Sequence, residues 1–154
     1  MKNILLVLST TRQSPKTIEL ALERAMNEGA RLTGLFILDS NIADSIFEKL
    51  TDSGFIGDKP SQQLHSSILL EYRQRGMVKL EETKEMAAKK GVSFEAIIKE
   101  GDFFNECLEE INKSKADLVI LTRKKRSSLS RFIFGSYVEN IKKGVDCEVL
   151  IVDE

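Results

Sequence analysis

Residues Ala116–Ser136, ADLVILTRKKRSSLSRFIFGS, decide how this chain is read. Leu118-Val119-Ile120-Leu121 is apolar at every position. A strand with one wet face alternates apolar and polar residues, whereas a strand covered on both faces of a parallel sheet does not. The run therefore predicts a central strand of such a sheet. Arg123, Lys124, Lys125 and Arg126 follow it at once, with Arg131 shortly after and no acidic residue among them. Open α/β sheets place ligands outside the carboxyl ends of their strands, so this loop is a candidate anion site.

The rest of the chain repeats the same grammar. Ile4-Leu5-Leu6-Val7-Leu8 is a second unbroken apolar run, read as the first strand and ending in Ser9-Thr10-Thr11. Ser14-Pro15 predicts a side-chain cap followed by proline at the first helical position, and Ile18, Ala21, Leu22, Ala25 and Met26 keep helical spacing until Gly29. Leu32–Leu38 is the second strand, with Gly34 marking a close approach of another backbone. Leu64, Ile68, Tyr72, Gly76, Leu80 and Ala87 trace one stripe of a long helix that stops at Gly91; Gly76 costs such a helix about 1 kcal/mol against alanine. Val92–Ile98 is the third strand. Glu100-Gly101-Asp102 turns into a helix capped by Asp102 and packed through Phe104, Cys107, Leu108 and Ile111. A short helix through Val138 and Ile141, ended by Gly144, precedes a fifth strand, Glu148–Val152. Strand and helix alternate throughout, which means an α/β fold: an open parallel sheet with helices on both faces. The length, 154 residues, fits one domain over 1–154. It is interrupted at about 39–61 by an excursion in which Ile42, Ile46, Phe47 and Leu50 could form a short helix before a loop-like stretch.

These features together resemble the universal stress protein family. Its nucleotide-binding members carry G-x2-G-x9-G-[ST] after the fourth strand of a five-stranded parallel sheet. Laid on this chain, the first two glycines fall on Thr122 and Lys125, and the final pair on Gly135 and Ser136. The opening strand, the Gly101-Asp102 helix start and the strand at Cys147 also match the family's spacing. The resemblance implies strand order 3-2-1-4-5, Rossmann-like, so that the loops after Leu8 and Leu121 face one crevice. It also implies a small cytoplasmic stress-response protein, dimeric through its fifth strand, where Val149 and Ile151 would form the edge. ATP, ADP or AMP are the ligands it suggests, with no metal. Where ATP-binding members end the first strand in aspartate, this chain has Ser9. The nucleotide- or anion-binding candidates are Ser9, Thr10, Leu38, Thr122, Arg123, Lys125, Arg126, Gly135 and Ser136.

Physical chemistry weighs on both sides of that assignment. Glycines at phosphate loops reach positive φ and let N–H groups approach an anion, and holding Thr122 or Lys125 left-handed costs roughly 1–2 kcal/mol each. Against this stand four consecutive cations, of which Arg123 and Arg126 could grip phosphate bidentately. The same run reads equally as a solvated surface loop, and Gly135-Ser136 as a plain helix start.

Bulk properties narrow the function further. With 23 basic and 24 acidic side chains there is no global field favouring nucleic acid or a membrane. Cys107 and Cys147 form no metal or disulfide spacing and read as buried apolar-like side chains, in keeping with a reducing cytoplasm. His65, the single histidine, has no catalytic partner in sequence, and no carboxylate pair stands out. The reading is a non-catalytic regulatory protein acting through dimerisation, adenine-nucleotide binding and an unidentified protein partner. A slow ATPase or nucleotidyl transferase is the alternative, and it would need a magnesium-holding carboxylate near the phosphates.

Overall fold

A computed structural model describes residues 2–10, 14–39, 61–123, 141 and 145–153. Five strands carry the architecture: β1 (Asn3–Ser9), β2 (Arg31–Asp39), β3 (Phe94–Gly101), β4 (Leu118–Arg123) and β5 (Glu148–Asp153). They form one sheet in the order β3-β2-β1-β4-β5 with every neighbouring pair parallel. Helices α1 (Pro15–Glu28), α2 (Ser61–Lys89) and α3 (Phe103–Ser114) lie between β1 and β2, β2 and β3, and β3 and β4 in the chain. This is the α/β class expected from the sequence pattern and the 3-2-1-4-5 order that the family resemblance implied. The expected excursion at about 39–61 falls, from 40 to 60, outside the described residues.

The two unbroken apolar runs are buried because each of their faces meets a separate core. Ile4, Leu6, Leu8, Leu118 and Ile120 pack with Ile18 and Leu22 of α1 and Leu80 and Ala87 of α2. Leu5, Val7, Val119 and Leu121 pack on the other side with Phe103, Cys107 and Ile111 of α3 and with Ile141. Full burial of each such side chain is worth about 1.5–3 kcal/mol, which is why both runs take the middle of the sheet. Their amino ends are clamped together: the Asn3 N–H donates to Asp117 Oδ2 (2.7 Å) and the Asp117 N–H to the Asn3 carbonyl (2.8 Å).

Helix boundaries follow local chemistry, with two corrections. Pro15 does open α1, but the Ser14 hydroxyl forms no cap; its carbonyl instead accepts from Ile18 N at 3.1 Å. Gly29 ends α1 in the left-handed region at φ 59°, as its position predicts. Asp102 caps α3 by accepting from Asn105 N at 3.0 Å. The packed face of α3 is turned from expectation: Phe103, Cys107, Glu110 and Ile111 are buried, while Phe104 and Leu108 are half-buried. Glu110 can go inward because Lys99 Nζ lies 3.2 Å from its carboxylate. Burial pulls the Lys99 ammonium down, but the hydrogen bonds and charges of Glu110 and Glu109 outweigh it and leave it raised. β3 also runs past the turn expected at Glu100–Gly101, since those residues still pair with Leu38 and Asp39.

Two glycines turn out to be seats for aromatic rings. Gly34 does not mark an approaching backbone; a Cβ there would stand 2.6 Å from the Phe94 ring. A Cβ on Gly76 would stand 2.7 Å from the ring of Phe36, itself fully buried. The helix-interior glycine is thus what lets α2 settle directly over β2. Gly76→Ala should lower stability by about 1–3 kcal/mol through overpacking, despite a helix-propensity gain of about 1 kcal/mol. Urea denaturation measures this, and a stability equal to or above the parent's would show that the ring yields freely.

Candidate functional site

The strand order reverses between β1 and β4. Leu6 pairs with Ile120, and each strand runs three residues further, so Ser9 and Arg123 finish level at the carboxyl edge. The chain leaving β1 and the chain leaving β4 therefore depart from one rim, the topological switch point at which doubly wound sheets hold ligands.

The candidate residues reaching this rim divide by what already engages them. Ser9 is fully buried at the strand end and Thr10 follows it, half-exposed. Leu38 is 1% exposed and belongs to the core that includes Leu8 and Phe36. Thr122 is fully buried and donates from Oγ1 to Thr17 Oγ1 at 2.7 Å, tying β4 to the first turn of α1. It lies within β4, and among the described residues other than glycine only Lys115 has positive φ. The strain anticipated for a left-handed threonine at this position is therefore not incurred. Lys125, Arg126, Gly135 and Ser136 lie outside the described residues.

Arg123 has a definite partner inside the chain. Its Nε is 2.6 Å from Asp153 Oδ1 and its second edge nitrogen, Nη2, is 3.1 Å from Oδ2, a two-pronged pair across the β4–β5 ladder. This is the geometry the sequence suggested for a phosphate, here filled by a carboxylate. One of the four consecutive cations is thus largely neutralised within the sheet. Sequence reasoning missed the pair because its partners are 30 residues apart. It also missed Asp39, which is 8% exposed at the end of β2 and paired with Gly101. Asp39 stands two residues beyond Ile37, the residue level with Ser9. The signal was present as the acid that closes LFILD.

The opposite end of the sheet has a different character. A cavity of about 530 Å³ there is lined by Ile111, Asn112 and Lys115 near the end of α3, by Ala116 and Asp117, and by Val145–Glu148. Asp117, Asp146 and Glu148 make it an unsuitable place for an anion. Cys147 borders this cavity. Burial raises its thiol, a backbone hydrogen bond opposes the rise, and the carboxylates of Asp117 and Asp146 add to it. Burial, with Cys147 nearby, pushes the Cys107 thiol up to about 12. Neither sulfur is poised as a nucleophile. Among the described residues no three His, Cys, Asp or Glu side chains are grouped to hold a metal, and no helix is long and apolar enough to cross a membrane.

Fold and topology together define a doubly wound α/β domain whose strand order reverses at the β1–β4 junction. The chain belongs to the universal stress protein family, whose sequence pattern matches residues 1–153. A universal stress protein of Methanocaldococcus jannaschii is 33% identical over 102 residues, which span 65% of this chain and 58% of that relative. UspA of Lactobacillus plantarum has the same fold, with a TM-score of 0.75 at 15% identity, covering 98% of this chain and 97% of its own. A family member from Arabidopsis thaliana, solved with AMP bound, superposes with a TM-score of 0.57 at 17% identity, covering 100% of this chain and 92% of its own.

Two measurements check this geometry. A double-mutant cycle of Arg123→Ala and Asp153→Asn in urea should give a coupling of about 0.5–1 kcal/mol, modest because both groups are about a third exposed; zero coupling would mean the pair is incidental. The raised Cys107 pKa favours the folded state fully below the unfolded thiol's value of about 8.5 and ceases to do so as pH climbs through about 12. Alkylation of Cys107 at pH 8 should therefore proceed only at the rate of opening of the fold, and fast labelling of the native protein would contradict the buried placement.

Proposed function

We propose that this protein is a non-catalytic regulatory protein of the stress response that binds an adenine nucleotide weakly at the β1–β4 rim and dimerises through β5. The observation that carries the reading is the level finish of Ser9 and Arg123 at the switch point, in a family that includes a member solved with AMP. Weak binding follows from two departures. Ser9 offers a neutral, short hydroxyl where ATP-binding relatives are expected to present a carboxylate. Arg123 is already engaged by Asp153, which leaves the phosphate contacts to Lys125, Arg126, Gly135 and Ser136.

Dimerisation is supported by the contrast between the two sheet edges. β3 carries Glu95, Lys99 and Glu100 along its length, charges that discourage pairing with another strand. β5 has no charge between Glu148 and Asp153, and Val149, Leu150 and Ile151 are only half-buried. A second β5 set against it across a two-fold axis would cover both its apolar rows and its main-chain groups. A reducing cytoplasm suits the two free thiols.

Calorimetric titration with ATP, ADP and AMP tests the ligand. Saturable binding is expected, with dissociation constants between about 10 μM and 1 mM, weakened about tenfold by Lys125→Ala with Arg126→Ala, a change of ~1.4 kcal/mol. Absence of any heat at millimolar nucleotide would reduce the protein to a nucleotide-independent module. Product formed from labelled ATP would instead favour the enzymatic reading.

A further inference from the structure

The outer face of α2 carries a feature that neither nucleotide binding nor β5 pairing uses. Its inner face buries Gly76, Leu80, Thr83 and Ala87 against the sheet. Away from the sheet, Leu70, Met77 and Val78 are 57%, 57% and 58% exposed. With 3.6 residues per turn these three share one stripe with Gln74, inside a helix whose other exposed positions are mainly charged. Single exposed apolar residues are ordinary, but three large ones along one stripe, Leu70 two turns before the adjacent pair Met77 and Val78, form a patch of the kind that marks an interaction surface. A shallow groove of about 460 Å³, lined by Glu71, Gln74, Arg75, Val78 and Lys79, runs along the same side.

The geometry points to a second copy of this chain as the occupant, with the two α2 helices antiparallel about a two-fold axis beside Gln74. In an isologous contact each group meets its own complement. This axis brings Leu70 level with Met77 and Val78 of the second copy, and Met77 and Val78 level with the second copy's Leu70. It also sets flank against like flank. Glu71 and Arg75 share one flank, where they form a 2.7 Å ion pair within the helix. The same placement puts Glu71 beside the second copy's Arg75 and Arg75 beside the second copy's Glu71, so two ion pairs become a closed set of four alternating charges. The apolar stripe centres the axis between positions 73 and 74 and the charged flank centres it on Arg73, a mismatch of at most one residue, about 1.5 Å along the helix, which long side chains can span. A sequence chosen only for solubility has no reason to satisfy both. Arg73, on the far flank, meets its own counterpart, which limits the strength of the contact. The patch is small against the roughly 1,200 Å² or more of a stable interface, so the association is weak and concentration-dependent.

Sedimentation of the full chain from about 1 μM to about 1 mM tests this. Average mass should rise with concentration, beyond any assembly through β5. The rise should be weakened roughly tenfold or more by Leu70→Glu with Met77→Glu. Glu71→Arg alone should weaken it, and Glu71→Arg with Arg75→Glu should restore it to within about twofold, since the swap preserves complementarity. Circular dichroism confirms the fold of each variant. A mass independent of concentration over this range, indifference to the Leu70 and Met77 changes, or failure of the double swap to rescue the single one overturns the proposal.

Discussion

Burial of β1 and β4 on both faces is the constraint from which the rest of this structure follows. A strand that is apolar at every position stays out of water only where both faces are covered; Ile4–Leu8 and Leu118–Leu121 meet that condition at the centre, whereas the equally apolar Val149–Val152 lies at the edge with Val149, Leu150 and Ile151 half-buried. The reciprocal hydrogen bonds between Asn3 and Asp117 then fix where the two begin relative to one another. Once the amino ends are level and the strands parallel, the carboxyl ends are level too. The rim shared by Ser9 and Arg123 is therefore a consequence of core chemistry at the far end of the sheet.

At that rim two of the candidate residues are already engaged within the chain. Thr122, on the first glycine position of the nucleotide-binding pattern, is a strand residue whose hydroxyl fastens β4 to α1 through Thr17. Arg123 closes the β4–β5 ladder on Asp153. Both contacts stiffen the switch point, and both withdraw groups from an incoming phosphate. Asp39, buried at the end of β2, adds a carboxylate to the same edge on the strand next to Ser9. The balance of charge among the described residues there is consequently less positive than the run Arg123–Arg126 suggests.

Much of the fold was legible because it rests on local pattern. The unbroken runs announced central strands, Gly29 and Gly91 ended their helices, and Asp102 capped its own. What escaped was set by contacts distant in sequence. The rotation of α3 depends on Lys99 reaching Glu110, and a buried glutamate cannot be told from a wet one by spacing alone. Gly76 looked like a cost until the ring of Phe36 was found beneath it. The proline after Ser14 was informative, whereas the serine's hydroxyl was not. The meeting of the carboxyl ends of β1 and β4 was legible, whereas the engagement of Arg123 by Asp153 was not.

The most direct test of the central claim is residue-resolved amide chemical-shift mapping of the protein titrated with AMP. The largest shifts should fall at the carboxyl edge, on Ser9, Thr10, Asp39 and Arg123 and on the loop after Arg123. The acidic cavity bordered by Asp117 and Cys147 should stay still. Shifts concentrated around Asn112–Asp117 and Val145–Glu148, with the carboxyl edge unmoved, would contradict the account.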